Sequence, residues 1–298
     1  MYIPISNRGH EVGQVIRDNY RRFLLIALLI LPSLVWAADD ILLDLDTDRK
    51  EGLFTKIPIK QRAILIPPEQ QSQTALLFFR GWPGIARIES VNDKSKNLIM
   101  FLNMNEQRFK DEGVALVIVD CPTSEWGQAG PNPTACNDGY RSSGKHLSDV
   151  RLVMKELHEK YGYKRQFIMG HSYGTISSKW LALGLGDEIA GSIHSAAMTL
   201  AGGGNYAQFG YSMRGFPVEK IKAPVLHIHN ENDACRLTPY ETVRNYSKNN
   251  LVTVRGGVPE GDPCGGRHFH SYAGREAAVV DAILSWINKS EVRTIVGE

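Results

Sequence analysis

The stretch Phe-Ile-Met-Gly-His-Ser-Tyr-Gly-Thr, residues 167–175, decides the fold class of this chain. An apolar run, Phe167–Met169, predicts a strand, and the pattern G-x-S-x-G follows it with Ser172 at its centre. The glycines leave room for a tight turn that projects the serine hydroxyl outward. The helix expected next offers free backbone N–H groups to a developing negative charge. This setting indicates a nucleophilic serine, and a purely structural turn is the alternative.

Strands alternate with helices over residues 61–290 of the predicted secondary structure. Short apolar or β-branched runs predict strands at 62–66, 74–79, 114–119, 167–169, 189–194, 225–229 and 251–254. Apolar spacing and capping residues such as Thr238 predict helices at 145–160, after the Ser-Tyr-Gly-Thr segment as far as about 183, after 238–239, and at 276–287. This order predicts an α/β fold, in which a mainly parallel central sheet has helices on both faces. Functional residues of such sheets lie beyond the carboxyl ends of the strands.

A serine hydroxyl is a weak nucleophile and needs a general base. His268 and His270 both lie between the last predicted strand and the final helix. We favour His270, which is nearer the helix and is followed by a small residue and an aromatic one, and keep His268 as the alternative base. The base needs a carboxylate that fixes its tautomer. Asp233, just past the strand at 225–229, is the first choice, with Glu231 and Asp262 as alternatives.

Backbone N–H groups are the expected donors of an oxyanion hole. One is the N–H of the residue after the nucleophile, Tyr173. The other is expected from the loop after an early strand, where Arg-Gly-Trp-Pro-Gly follows the strand at 74–79. Gly81 or Trp82 would donate, because Pro83 has no N–H.

These pieces resemble the α/β-hydrolase-fold serine hydrolases, the esterase- and lipase-like family, over roughly residues 60–290. The matching segments are FFRGWPG, GHSYG, HNENDACRLTP and GDPCGGRHFHSY, and the order serine, acid, histidine is that of the family. The resemblance implies a triad of Ser172, Asp233 and His270, acyl-enzyme chemistry and no cofactor. The chain lacks the His-Gly-Gly-Gly run of many esterases.

Two long loops are expected to border the substrate pocket. In this fold a lid is inserted after the strand that follows the nucleophile, here at 195–217, with Tyr206, Phe209 and Tyr211. The stretch is short, which favours a small lid over a large cap domain. Residues 122–144 form another long loop at a strand's carboxyl end. Ordinary surface packing is the alternative for both loops.

The first 37 residues have the pattern of a secretory signal. Arg17, Arg21 and Arg22 precede an uncharged apolar run, 23–36, which is shorter than the roughly 20 residues of a membrane-spanning helix. Small residues then place a cleavage site after Ala37 or one residue later. An uncleaved N-terminal anchor is the alternative, and the arginine pair faintly resembles a twin-arginine signal.

The remaining chain is divided into a polar lead-in at 38–60, the catalytic domain at 61–290 and a C-terminal tail at 291–298. Four cysteines fit an exported protein with two disulfides. Sequence proximity favours Cys121–Cys136 and Cys235–Cys264. The second pair would tie the loop of the predicted acid to the loop of the predicted base, or would serve as a general stabilising bridge.

Composition and histidine spacing exclude several other functions. The chain has 298 residues, 43% of them hydrophobic, and a net charge of +2 without a long basic run, so nucleic acid is not an expected partner. His227 and His229 face the same side of a predicted strand, but no set of residues has metal-ligand spacing, so no metal is expected.

The sequence therefore predicts an exported, periplasmic or secreted serine hydrolase acting on a small carboxylic ester, with no stable membrane span once the signal is removed. A peptidase, amidase or acyltransferase on the same fold is the alternative, and a noncatalytic binding protein is a further one.

Overall fold

The computed structural model describes residues 39–127, 136–201 and 209–298. The predicted signal at 1–37 and Tyr206 of the predicted lid lie outside the described residues. No helix in the described ranges is long and apolar enough to cross a membrane.

One sheet runs through the described part of the chain. Its strands are β1 (Ile41–Glu51), β2 (Ile57–Ile66), β3 (Thr74–Phe79), β4 (Val114–Val119), β5 (Arg165–His171), β6 (Gly191–Ser195), β7 (Val225–Asn230), β8 (Leu251–Val254) and β9 (Ile295–Val296). They are ordered β1-β2-β4-β3-β5-β6-β7-β8-β9. β2 is antiparallel to both of its neighbours, and all other neighbouring pairs are parallel. The predicted mainly parallel sheet is confirmed.

Helices cover both faces of this sheet. They are α1 (Lys94–Asn97), α2 (Met100–Asn103), α3 (Glu106–Asp111), α4 (Asp138–Arg141), α5 (Gly144–Glu159), α6 (Thr175–Leu185), α7 (Tyr240–Ser247) and α8 (Glu276–Lys289). Successive strand residues point to opposite faces. Leu77 of β3 accordingly packs in one core with α5 and α6, while its neighbours Leu76 and Phe78 pack in another with α2, α3 and α8.

The structure corrects the expectation that residues 38–60 form a polar lead-in to the domain. β1 and the start of β2 occupy most of it and form an antiparallel pair at the edge of the sheet. Apolar and acidic residues alternate along β1, and only Leu43 is fully buried. This alternation is typical of an edge strand with one wet face, and the acidic residues made the segment look like an unstructured polar stretch.

The structure also corrects the expectation that residues 291–298 form a tail outside the fold. Ile295–Val296 pairs with β8, and Val296 is buried in the same core as α8. Two residues are too short a run for periodicity to predict a strand.

Both disulfides favoured by sequence proximity are present, Cys121–Cys136 and Cys235–Cys264. The stretch between β6 and β7 runs only from residue 196 to residue 224, and its described part contains short 3₁₀ turns at Tyr211–Met213 and Val218–Lys220. The fold therefore has no large cap domain at this position.

Candidate active site

Ser172 lies at a sharp turn between β5 and α6. β5 ends at His171, and a 3₁₀ turn over Ser172–Gly174 leads directly into α6. The backbone of Ser172 has φ +53°, in the left-handed region that non-glycine residues rarely adopt. A conformation of this kind costs about 1–3 kcal/mol and persists only where the surroundings enforce it. Ser172 is left half-buried, and so is accessible to a small molecule.

Two glycines make this turn possible because backbone approaches backbone on both sides of it. A Cβ placed on Gly174 would lie 2.1 Å from the carbonyl oxygen of Phe79 at the end of β3. A Cβ on Gly170 would lie 2.3 Å from the carbonyl oxygen of Gly174. Both distances are far below van der Waals contact, so only glycine fits at either position.

Ser172 and His270 line the same cavity, which has a volume of about 280 Å³. Its other walls come from the loop after β3, the segment between α1 and α2, and the segment before the 3₁₀ turn Phe269–Ser271. The predicted nucleophile and the favoured base are thus brought to one site. Their loops follow β5 and β8, at the carboxyl edge of the sheet, as expected for this topology.

Asp233 is hydrogen-bonded to His270. Its Oδ2 accepts a bond from Nδ1 of His270 at 2.9 Å and others from Thr238 Oγ1 at 3.0 Å and His229 Nε2 at 3.1 Å. Its Oδ1 accepts the backbone N–H of Cys235 at 2.9 Å. Because Nδ1 of His270 donates to the carboxylate, Nε2 of that ring carries the free lone pair that a general base needs.

The electrostatics of this cluster keep Asp233 ionised. Burial opposes the charged form, but hydrogen bonds from His229 and His270 outweigh it and hold the pKa of the Asp233 carboxyl well below its usual range. A carboxylate that stays charged at neutral pH can stabilise an imidazolium formed next to it.

The alternative residues lie in other surroundings. His268 is half-buried and packs its ring against Phe269, with ring centroids 5.3 Å apart, and its Nδ1 has no hydrogen-bond partner among the described residues. Glu231 pairs with Arg255 at 3.2 Å. Asp262 accepts the backbone N–H of Cys264 at 2.8 Å. Within the described part of the chain, Asp233 is therefore the carboxylate that is bonded to His270.

The loop after β3 packs directly against the turn at Ser172. A Cβ on Gly81 would lie 3.3 Å from both the His171 carbonyl oxygen and Ser172 Cβ, and Gly81 and Trp82 both line the cavity. Asp120, at the end of β4, anchors the far side of this loop by accepting backbone N–H groups. The assignment of the N–H groups of Tyr173 and of Gly81 or Trp82 to an oxyanion hole stays a prediction.

Several supporting residues were not found from the sequence. Thr238, taken there as a helix cap, donates to Asp233, and His229 donates to the same oxygen. His171, the residue before the serine, is fully buried, and burial and the neighbouring His270 lower its pKa well below the usual value. Its Nδ1 lies 2.9 Å from Ser195 Oγ. The contacts of Thr238 and His229 lie within β7 and the loop after it, and the contact of His171 joins β5 to β6, but no known sequence motif marks any of them.

Arg141 was missed as well. Its side chain is 2% exposed and donates to the carbonyl oxygens of Gly84 and Cys136 at 2.8 and 2.9 Å. The guanidinium also stacks 5.0 Å from the ring centre of Tyr173. It therefore joins the loop after β3 to the turn that carries Ser172.

Among the described residues, no group of three or more His, Cys, Asp or Glu side chains is placed to hold a metal ion.

The tightness of the turn yields a stability prediction. Gly174→Ala places a methyl group against the Phe79 carbonyl, so we expect a loss of about 2 kcal/mol or more in the free energy of unfolding, measured by urea denaturation. Gly144→Ala is the control, since a Cβ there meets nothing within 4 Å and the residue begins α5. Equal stability of the two variants would contradict the close contact.

The Cys235–Cys264 bridge yields a second prediction. Cys235 donates to Asp233, and Cys264 lines the cavity with Ser172 and His270. Replacing both cysteines by serine should cost about 2–4 kcal/mol of stability and should also lower kcat/KM at a temperature where the variant is fully folded. An unchanged kcat/KM with only a lower melting temperature would show that the bridge merely stabilises the fold.

Comparison with known proteins shows which solved structures have a similar fold. No protein-family model and no curated protein matches the sequence. Solved structures do match. Est1E from Butyrivibrio proteoclasticus is 18% identical with a TM-score of 0.52, over 84% of this chain and 98% of Est1E. An α/β serine hydrolase without lid from Xanthomonas campestris is 15% identical with a TM-score of 0.51, over 86% and 99% of the two chains.

Fluorophosphonate-binding serine hydrolase F of Staphylococcus aureus is also similar, with 15% identity and a TM-score of 0.51 over 84% of this chain and 98% of that one. The likeness extends over most of each chain and agrees with the strand order and with the turn between β5 and α6. The chain therefore has the α/β-hydrolase fold.

Proposed function

We propose that this protein is a serine hydrolase that cleaves carboxylic esters through an acyl-enzyme intermediate. The observation that carries the proposal is the 2.9 Å bond between Asp233 Oδ2 and His270 Nδ1, made by a histidine that shares a cavity with Ser172. A nucleophile in a strained turn, a base with a free nitrogen and a buried carboxylate behind it are the parts that acyl transfer requires.

The chemistry proceeds in two halves. Nε2 of His270 takes the proton of Ser172 Oγ as that oxygen attacks the ester carbonyl carbon. Backbone N–H groups of Tyr173 and of Gly81 or Trp82 stabilise the oxyanion, and losing one such donor typically costs about 3 kcal/mol. The C–O bond to the alcohol breaks as His270 returns the proton to the leaving oxygen. Water, deprotonated by His270, then releases the acid and restores Ser172.

An ester substrate is supported by the surroundings of the site. Trp82 is 47% exposed at the cavity and contacts Phe209, at 4.7 Å between ring centres, and Tyr173. This aromatic surface can receive the apolar part of an ester. Among similar structures, Est1E is described with ferulic acid bound, at 19% identity and a TM-score of 0.51, and another protein is described as a thermostable esterase. Amide hydrolysis and acyl transfer would use the same residues.

We also propose that the protein is exported from the cytoplasm. The described part of the chain contains two disulfides and no free cysteine. Disulfides persist in oxidising compartments, which supports a periplasmic or secreted protein. The positively charged and apolar pattern of the first 37 residues supports the same location.

Kinetics of four variants on p-nitrophenyl esters test the proposal. Ser172→Ala and His270→Gln should each lower kcat by about a thousandfold or more, because nucleophile and base act as one unit. Asp233→Asn should lose activity by a similar factor, because the tautomer of His270 is no longer fixed. His268→Gln is the control and should stay within about threefold of wild type, as for a residue outside the site.

Circular dichroism and melting curves must show that each variant is folded. An active Ser172→Ala variant would refute the nucleophile. A His268→Gln variant as inactive as Ser172→Ala, with His270→Gln active, would refute the choice of base. A parallel panel of peptide and thioester substrates separates ester hydrolysis from the other acyl transfers.

A further inference from the structure

Arg80 is a cationic residue that lines the cavity containing Ser172 and His270. It directly follows β3, precedes Gly81 in the chain, and lines the same cavity as Ser172 and His270. The residue is half-buried, so its side chain is enclosed without being sealed from the cavity. Nothing in the proposed ester hydrolysis requires a cation here.

The guanidinium of Arg80 is held in place by neutral partners. Its Nη1 donates to Asn97 Oδ1 at 2.6 Å and to the Ile85 carbonyl oxygen at 3.3 Å. Asn97 is only 1% exposed and is itself fixed, since its Nδ2 donates to the carbonyl oxygens of Ala86 and Asp93 at 3.0 and 2.9 Å. The orientation of the Arg80 side chain is therefore set before any ligand arrives.

Among the described residues, no carboxylate makes a direct ion pair with Arg80. Within the described ranges, no carboxylate forms an ion pair with it at 4.0 Å or less, and its Nε and Nη2 groups have no hydrogen-bond partner. Asp120 influences it electrostatically, but both oxygens of that carboxylate accept backbone N–H groups, from Ala86, Ile88 and Cys121. Arginine stays protonated in proteins, so these N–H groups of a partly enclosed guanidinium are available to an anionic ligand.

We propose that Arg80 binds a carboxylate carried by the substrate, so that the enzyme acts on esters with a free carboxylate group. The inference rests on the proposed ester hydrolysis and names the class of ester. The unpartnered N–H groups of a fixed guanidinium match the two oxygens of a carboxylate. The aromatic surface at Trp82 lies on the same cavity and receives the apolar part, so charge and apolar surface together select the substrate.

Two matched ester pairs test this inference. The first compares the mono-p-nitrophenyl ester of adipic acid with p-nitrophenyl hexanoate, which places the carboxylate on the acyl side. The second compares the butyrate esters of p-hydroxybenzoic acid and p-hydroxybenzamide, which places it on the alcohol side. The readout in each pair is the ratio of kcat/KM for the charged ester to kcat/KM for the neutral one, after subtraction of spontaneous hydrolysis.

Arg80→Met should lower this ratio by about tenfold to a hundredfold in one of the two pairs, the effect expected for a lost hydrogen bond to a charged group. The loss should reside mainly in KM, as for an interaction made equally in the ground and transition states. Arg80→Lys should keep part of the ratio. Arg151→Met is the matched control, because Arg151 pairs with Glu188 and does not line the cavity, and it should keep the wild-type ratio.

An unchanged ratio in both pairs for Arg80→Met would overturn the inference, even if activity on all four esters fell equally, since an equal loss is the signature of a structural role. Wild-type preference for the neutral ester in both pairs would overturn it too. A folded wild-type protein that hydrolyses none of the four esters would refute the proposed function, and the present inference with it.

Discussion

The close approach of Gly174 to the Phe79 carbonyl is the contact on which the rest of the site depends. It presses the start of α6 against the end of β3, with 2.1 Å between that oxygen and the place where a Cβ would stand. Because the chain must turn in this small space, Ser172 takes a left-handed backbone conformation. The same contact sets the loop with Gly81 and Trp82 beside the serine, so one packing constraint places both the proposed nucleophile and the predicted oxyanion donors.

The second half of the site is organised by charge. The carboxylate of Asp233 is buried and would be costly there without partners, and four donors from His229, Cys235, Thr238 and His270 offset that cost. The cluster joins the loop after β7 to the turn before α8, and the Cys235–Cys264 bridge links the same two regions covalently. His270 is thereby positioned by groups from both sides, and its Nε2 is the nitrogen that the proposed mechanism assigns to the proton of Ser172.

The sequence reveals the parts of this fold that are set by local pattern. Strands β3, β4 and β8 are buried on both faces and follow continuous apolar runs, so their limits match the predicted ones. The G-x-S-x-G pattern is itself local in the sequence, but only Gly170 is required by a contact within the turn, whereas Gly174 is required by the Phe79 carbonyl oxygen of β3. β1 was missed because Asp44, Asp46 and Asp48 stand at every second position along its wet face.

Contacts between distant loops escape sequence reasoning. The choice between His268 and His270 depends on the 3₁₀ turn Phe269–Ser271, which directs one ring to Asp233 and leaves the other against Phe269. The placement of Arg80 beside Ser172 and His270 likewise arises only when the strands are assembled, whereas the support from His229 joins the end of β7 to the loop directly after it. Residue type and chain order narrow these roles to a few candidates, and packing selects among them.

Labelling with a fluorophosphonate probe, followed by peptide mapping, tests the central claim most directly, which is that Asp233 and His270 activate Ser172. The account predicts one adduct, on the peptide that contains Ser172, and much slower labelling of the same serine in a folded Asp233→Asn variant. An adduct on another residue, no adduct on folded wild-type protein, or an unchanged labelling rate in that variant would contradict it.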